Sequence, residues 1–213
     1  MPISDQARIS ELVVGGGAQN WASIGITFNQ SLRAALGDVV LRLDPLLQPG
    51  LHSWVLQGAD IKVENIDGVA TNHAIGEFQI AASVRADFDL GVIGVDHVVI
   101  NTPDLMRTSD ALTAATGTPL KRVRDAGNNV QQGFHRLGSV IVEIVTAPTM
   151  PLGDASLWGF VLNVKDIYAV ANHVGPDVLS IPKPAVQAGR LIATFRSSVG
   201  LGVPVALMGQ DSN

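Results

Sequence analysis

Short apolar segments recur along the whole chain, and this repetition limits the folds open to it more than any other feature. Each segment is rich in Val, Ile and Leu and is bounded by Gly, Pro, Asp or Asn. Apolar runs of about four to eight residues between turn-forming residues predict β-strands. The predicted strands are Ile9–Val14, Val39–Leu43, His52–Gln57, His97–Asn101, Lys121–Arg124, Gln131–Leu137, Val140–Val145, Gly159–Val164, Leu191–Arg196 and Pro204–Met208.

Helices are expected in only a few places. The clearest begins after Asp104, where apolar residues recur at helical spacing, and it runs to about Ala115. A second begins at Asp166, which is a suitable N-cap, and ends near His173. A short helix through Trp21 is also predicted. A chain of many strands and few helices predicts the α+β class.

Parts of the sequence resemble one another in register, which indicates internal repeats. Two patterns recur. In the first two pairs below, an apolar strand is followed by an Asp at the start of a helix. In the third pair, a Phe is followed by a hairpin turn and a last apolar strand. The matched pairs are Leu51–Ile61 with Leu157–Ile167, Asp96–Leu105 with Trp158–Ile167, and Gly133–Val145 with Thr194–Met208.

These repeats divide the chain into four units that each begin with a strand and a helix. In order they are Ile9–Pro45, Leu51–Ile93, Val95–Pro148 and Leu157–Met208. The last two hold all parts of the pattern, whereas the first two are shorter. We therefore expect a degenerate N-terminal half at residues 1–93 and a domain at residues 94–213. That domain should consist of two βαβββ modules, at residues 94–150 and 151–210.

The third and fourth units resemble the vicinal oxygen chelate superfamily, which includes glyoxalases, bleomycin-resistance proteins and dioxygenases. The resemblance lies in the strand and helix start DHVVINTPD, the last strand VIVEIV, and the tail GRLIATFRSSVGLGVPVALM. It covers the chain from about Val95 onward. It implies tandem βαβββ modules that form curved mixed sheets around a ligand cavity, preceded by a degenerate copy.

The resemblance also implies a site at His97 and Glu143, because metal-dependent members take ligands from the first and last strands of a module. The residues themselves support this. Glu143 is the only charged residue of VIVEIV, and a buried carboxylate is costly unless it is paired, hydrogen-bonded or bound to a cation. The pair could hold Zn, Fe, Mn, Co or Ni, or serve a ligand as an acid–base pair. Structural roles are the third alternative.

The fourth unit departs from this ligand pattern. Gly159 stands opposite His97, and Ala206 or Leu207 stands opposite Glu143. None of these side chains can bind a metal. Two protein ligands rarely hold a divalent ion without further donors, so the sequence supports no firm cofactor.

Three further residues are candidates for a ligand pocket. His135 is one of two neighbouring polar residues on a predicted strand, and strand side chains alternate, so it faces either a cavity or the other side of the sheet. Arg196 has a similar place in the fourth unit and suits a carboxylate or a phosphate. Trp158 could wall an apolar pocket. The alternative for Arg196 is an arginine on the protein surface, and the alternative for Trp158 is an aromatic residue of the core.

Composition excludes several classes of function. Hydrophobic residues make up 46% of the chain and charged residues 15%, which is enough apolar material for a core. There is no cysteine, so disulfides and Cys-bound metal centres are excluded. A formal net charge of -5 argues against nucleic acid as a partner. No apolar run of about 18 residues and no signal peptide is seen, so we expect no membrane span and a cytoplasmic location.

Three functions follow as hypotheses. The first is a glyoxalase-like protein that binds a small-molecule ligand without catalysis, which the missing metal ligands of the fourth unit favour. The second is a metal-dependent lyase, isomerase or dioxygenase that uses His97 and Glu143. The third is a catalytically silent structural or interaction protein, with a sheet edge that could form a homodimer.

Overall fold

The computed structural model describes residues 6–58, 61–74 and 88–211. Part of the second repeat, residues 59–60 and 75–87, lies outside them. The helices are α1 (Ala18–Ala22), α2 (Leu105–Thr116) and α3 (Ile167–Val174), with a 3₁₀ turn at Ser197–Val199. The strands are β1 (Arg8–Gly15), β2 (Arg33–Leu36), β3 (Val39–Asp44), β4 (Gly50–Gln57), β5 (Asn65–Ile66), β6 (Val69–His73), β7 (Val92–Asn101), β8 (Arg122–Asp125), β9 (Gln131–Leu137), β10 (Val140–Thr146), β11 (Ser156–Val164), β12 (Lys183–Pro184), β13 (Arg190–Thr194) and β14 (Val205–Gln210). Within the described ranges, no helix is long and apolar enough to cross a membrane.

These strands form two curved, unclosed mixed sheets. Their orders are β2-β3-β1-β4-β6-β5 and β12-β13-β14-β11-β7-β10-β9-β8. The second sheet is built from β7-α2-β8-β9-β10 followed by β11-α3-β12-β13-β14, and in both series the last strand lies parallel beside the first. This connectivity confirms the predicted α+β fold with tandem βαβββ modules.

The six-stranded sheet contains shorter versions of the same arrangement. β4 pairs in parallel with β6, as β7 does with β10, and β2 and β3 form an antiparallel hairpin after α1. Each predicted strand overlaps an observed one, and the predicted helices are confirmed. The sequence did not predict β2, β5, β6 or β12, because these strands are too short or too polar to show a clear period.

The chain forms two compact units, each assembled from three stretches. Unit 1 comprises residues 1–12, 52–78 and 97–159, and unit 2 comprises residues 13–51, 79–96 and 160–213. The two units interleave segments from both sides of residue 93. The domain division expected from the sequence therefore stays a prediction.

In unit 1, α2 packs against β9, β10 and β5. Asp104 caps the helix, since its carboxylate accepts a hydrogen bond from the Arg107 backbone N–H at 3.0 Å. Trp54 is fully buried, and its indole N–H donates to the Thr71 hydroxyl at 2.8 Å. The core of unit 1 is thus an apolar layer whose few polar atoms are hydrogen-bonded.

The core of unit 2 is centred on aromatic rings. Trp21 stacks on Phe160 with ring centroids 6.2 Å apart, and Phe28 meets Trp21 edge-on at 6.3 Å. Helix α3 packs against β13 and β14, and Asp166 caps it by accepting from the Ala169 N–H at 2.9 Å. Trp21 and Phe160 are both buried, so their rings fill the core.

The turn between β5 and β6 ties that hairpin to the start of α2. Asp67 accepts from the Thr108 hydroxyl at 2.5 Å and lies 2.7 Å from Arg107 Nε. The next residue, Gly68, has φ +97, and a Cβ placed on it would lie 2.3 Å from Cβ of Asp154. Only glycine meets both the backbone and the packing requirement here.

A second tie joins α2 to β9 through His135, which is buried. Its Nε2 lies 2.9 Å from Oγ of Ser109 on α2, and its Nδ1 lies 3.0 Å from the carbonyl oxygen of Thr118. A neutral ring suits both contacts, with Nδ1–H donating to the carbonyl and Nε2 accepting from the hydroxyl. Burial lowers the pKa of His135, and the hydrogen bond to Thr118 opposes this in part.

Gly68→Ala should destabilise the protein by about 2–4 kcal/mol, the sum of left-handed backbone strain and an overpacked turn. Gly127→Ala is the matched control. Gly127 also has a positive φ, +84, but a Cβ there meets nothing within 4 Å, so only the strain of about 1 kcal/mol applies. Urea unfolding of the two variants measures the difference. Equal losses would show that the contact with Asp154 is not tight.

His135 should make stability depend on pH. Because its pKa is lower in the folded chain than in the unfolded one, the unfolded chain binds more protons as pH falls. The free energy of unfolding should therefore drop from about pH 6.5 downward. The difference between wild type and His135→Gln, measured by urea unfolding, should shrink between about pH 7.5 and pH 5. A constant difference, or an equal change for exposed His73→Gln, would contradict this.

Candidate functional site

Four neighbouring strands of unit 1 have two faces of different character. On β10, the side chains of Val140, Val142 and Ile144 are buried, whereas Ile141, Glu143 and Val145 alternate with them and are half-buried. The first set faces the layer that contains α2. The second belongs to what we call the polar face, defined by His97, Arg122, Arg124, Gln132, Phe134 and Glu143.

Strand register brings these six residues to one face. β10 pairs in parallel with β7, placing Glu143 beside Val99, and in antiparallel with β9, placing it beside Phe134. On the outer pair, Gln132 lies opposite Arg124 of β8. Directly paired residues have side chains on the same face of a sheet, so all six project from the same side.

A continuous series of side-chain contacts crosses this face. Arg124 donates from Nε to Oε1 of Gln132 at 2.8 Å, and its Nη2 reaches the same oxygen. Gln132 donates from Nε2 to Oε1 of Glu143 at 2.5 Å. The other carboxylate oxygen, Oε2, lies 3.5 Å from Nε2 of His97. We call these four residues the polar chain.

The order of the polar chain fixes the orientation of its central amide. An arginine can only donate, so the Gln132 oxygen must point to Arg124 and its NH₂ group to Glu143. Both hydrogen bonds involve a charged partner, which makes them stronger than neutral ones. The side chains of His97 and Glu143 are 15% and 12% exposed, so water screens this end of the polar chain only weakly.

Aromatic and cationic groups lie together at the other end. The guanidinium carbon of Arg122 lies 4.9 Å from the ring centroid of Phe134, and that of Arg124 lies 6.0 Å from it. These are cation–π distances. The ring therefore holds two arginines of the edge strand on the polar face.

The two predicted metal ligands lie side by side, with His97 Nε2 3.5 Å from Glu143 Oε2. The described ranges contain no group of three or more His, Cys, Asp or Glu able to hold an ion. One oxygen of Glu143 already accepts from Gln132. At the equivalent place in the second module, Val161 pairs with Ala206 as Val99 pairs with Glu143. The register thus selects Ala206 over Leu207, and its methyl group offers no donor.

The other candidate residues lie elsewhere. His135 points to the α2 side of β9, because it alternates with Phe134 and bonds to Ser109. Arg196 is exposed and lines a cavity of about 340 Å³ in unit 2. Trp158 is half-exposed on β11. The structure therefore joins His97 with Glu143 and places the remaining candidates in other surroundings.

The sequence patterns did not single out four members of the polar face: Arg122, Arg124, Gln132 and Phe134. A signal for them does exist, since each pair of residues is two apart on a predicted strand and so shares a face. What the sequence lacks is the register that sets Gln132 opposite Arg124 and next to Glu143.

No model of a known protein family matches the chain, and no curated protein does either. Several solved structures are similar in fold. A methylmalonyl-CoA epimerase from Mycobacterium tuberculosis is 15% identical over 56% of this chain and 89% of its own, with a TM-score of 0.47. One from Streptomyces coelicolor, in complex with 2-nitronate-propionyl-CoA, is 15% identical over 57% and 96%, with a TM-score of 0.46. A third methylmalonyl-CoA epimerase is 20% identical over 58% and 99%, with a TM-score of 0.47.

At these identities the likeness concerns the fold alone. The connectivity of β7 to β14 is that of two tandem βαβββ modules, as the sequence predicted.

Proposed function

We propose that the protein binds a small organic anion on the polar face of unit 1. The negative group of the ligand would lie at Arg122 and Arg124, and a hydroxyl or carbonyl oxygen at His97 and Glu143. The main support is the polar chain itself, which keeps charged groups ordered and half-buried across four strands.

The local charge favours an anion. Two arginines and one glutamate leave the polar face with more positive than negative charge, although the whole chain carries a formal net charge of -5. Holding charged side chains away from water costs free energy. Several partly buried charged side chains lie together on this face, and their net charge is opposite in sign to that of the whole chain. Such an arrangement suits ligand binding better than core packing.

Strand spacing sets the length of the ligand. β8 lies two strands away from β10 and three away from β7. Neighbouring strands are about 4.8 Å apart, so the backbones at the two ends of the site are separated by about 10–14 Å. Phe134, on the strand between them, offers an apolar surface. A single aromatic ring or a short chain with an acidic end fits this span.

The pair formed by His97 and Glu143 suits an oxygen of the ligand. Its separation of 3.5 Å is longer than an ordinary N–H···O hydrogen bond of about 2.9 Å. A hydroxyl oxygen can lie about 2.8 Å from both atoms, donating to the carboxylate and accepting from the ring. An imidazole and a carboxylate that meet at one oxygen can also pass a proton to it or take one from it, so the pair could act on such a ligand as acid and base.

The second candidate function is a metal-dependent lyase, isomerase or dioxygenase that uses His97 and Glu143. Their convergence within 3.5 Å favours it, and the lack of a third His, Cys, Asp or Glu among the described residues counts against it. Elemental analysis of the purified protein, with titration of Zn, Mn, Ni and Fe(II), separates the two candidates. Homodimer formation and a cytoplasmic location stay predictions from the sequence.

A screen of aromatic acids whose hydroxyl lies at the far end of the ring from the carboxylate, such as 4-hydroxybenzoate, 4-hydroxyphenylacetate and 3-(4-hydroxyphenyl)propionate, tests the proposal. At least one should raise the Tm of the wild type and bind in ligand-observed NMR. Arg124→Gln and Glu143→Gln should each weaken that binding about tenfold or more, because each removes a hydrogen bond to a charged group.

Lys121→Gln is the matched control, since it removes an exposed positive charge beside the polar face without touching the polar chain. It should bind as the wild type does. Urea unfolding checks that all variants fold. The proposal fails if no compound binds, or if Arg124→Gln and Glu143→Gln bind as tightly as Lys121→Gln.

A further inference from the structure

Unit 2 contains a cavity of about 340 Å³ at the end of β13. Its wall is formed by the end of that strand, the 3₁₀ turn and the turn that leads into β14. The residues that line it include Phe195, Arg196, Ser197, Leu201, Val203 and Pro204. The volume falls at the lower end of the range of about 300–1,000 Å³ that is typical of small-molecule sites.

The apolar part of this cavity consists of residues that are otherwise buried. Phe195, Leu201 and Val203 are 6%, 5% and 7% exposed, so their side chains are held by the core. The Phe195 backbone N–H donates to the Val205 carbonyl at 3.0 Å. The floor is therefore preformed, and a ligand that covers it gains apolar contact at a small ordering cost.

The polar part is the exposed side chain of Arg196. Its backbone N–H donates to the Val178 carbonyl at 2.8 Å, and its Nε donates to the Pro176 carbonyl at 3.2 Å. Within the described part of the chain, no carboxylate pairs with it. Arg190, in the same unit, is different, because its guanidinium contacts Asp96 at 2.8 Å.

A guanidinium anchored by Nε keeps its terminal N–H groups for another acceptor. Arginine binds carboxylates with two parallel N–H groups, and the Ser197 hydroxyl at the same wall supplies a further donor. A cation beside an apolar floor selects a ligand that has both a negative group and an apolar body.

We infer that this cavity binds a small monocarboxylate with a ring or a short alkyl chain. Its carboxylate pairs with Arg196, and its apolar body covers Leu201, Val203 and Pro204. This site is independent of the function proposed for the polar face, because it uses none of the same residues.

Benzoate is the probe, titrated into the full chain by calorimetry and ligand-observed NMR. The wild type should bind it, and Arg196→Gln should bind it at least about tenfold more weakly. Arg136→Gln is the matched control, since Arg136 has the corresponding place in the other module, is exposed, and donates to the Ser139 carbonyl of its own hairpin. His97→Gln should also bind as the wild type does, which separates this site from the polar face.

Three further probes test the ligand class. Acetate has the carboxylate of benzoate without its ring, benzyl alcohol has the ring without a charge, and inorganic phosphate is a different anion. Each should bind at least about tenfold more weakly than benzoate. The inference is overturned if the wild type does not bind benzoate, if Arg196→Gln binds it equally well, if Arg136→Gln or His97→Gln loses as much, or if any of the three probes binds as tightly.

Discussion

β10 lies between β7 and β9, and its pairing with both decides which side chains unit 1 presents on its polar face. The pairing is parallel on one side and antiparallel on the other. Since strand side chains alternate, a slip of one residue would turn Glu143 to the buried side and bring Val142 or Ile144 to the polar face. The apolar residues that pack beneath α2 prevent such a slip. Burying the Glu143 carboxylate there would cost more free energy than any contacts formed in the shifted register could offset. Core packing thus holds the site in register.

The polar chain shows how a sheet can carry charge at low exposure. Arg124 orients the amide of Gln132, and that amide orients one oxygen of Glu143. Each hydrogen bond supplies part of the solvation that the next group has lost. The second oxygen of Glu143 is left directed toward His97. The carboxylate is therefore positioned by Gln132 on the neighbouring strand and by Arg124 two strands away. The edge strand β8 thus shapes the polar face although it lies three strands from β7, which carries His97.

The two modules share their connectivity but not the chemistry of the equivalent face. In unit 2, Val161, Ala206 and Met208 form a small apolar cluster, with Ile192 packed against it. In unit 1, the positions that match Ala206 and Ile192 in register are Glu143 and Gln132. Backbone pairing depends on alternation and turns, so it survives such changes. The chemistry of a face depends on single side chains, so fold likeness alone does not carry function from one module to the other.

Much of the fold followed from the sequence, because local rules govern it. Apolar runs between turn residues located the strands, Asp104 and Asp166 marked the helix starts, and the repeats predicted two βαβββ modules. Very short strands such as β5 and β12 were not predicted, since two residues are too few to show an alternation of apolar and polar side chains.

The sequence also singled out His97 and Glu143, as polar residues within apolar strands. It could not decide their surroundings. His135 satisfies the same criterion, yet it faces α2 and bonds to Ser109. Alternation states that neighbouring residues face opposite ways, but only the packing of a helix on one side decides which face is the core. Only the pairing of distant strands placed Gln132 and Arg124 beside Glu143, because register is a long-range property that no local pattern encodes.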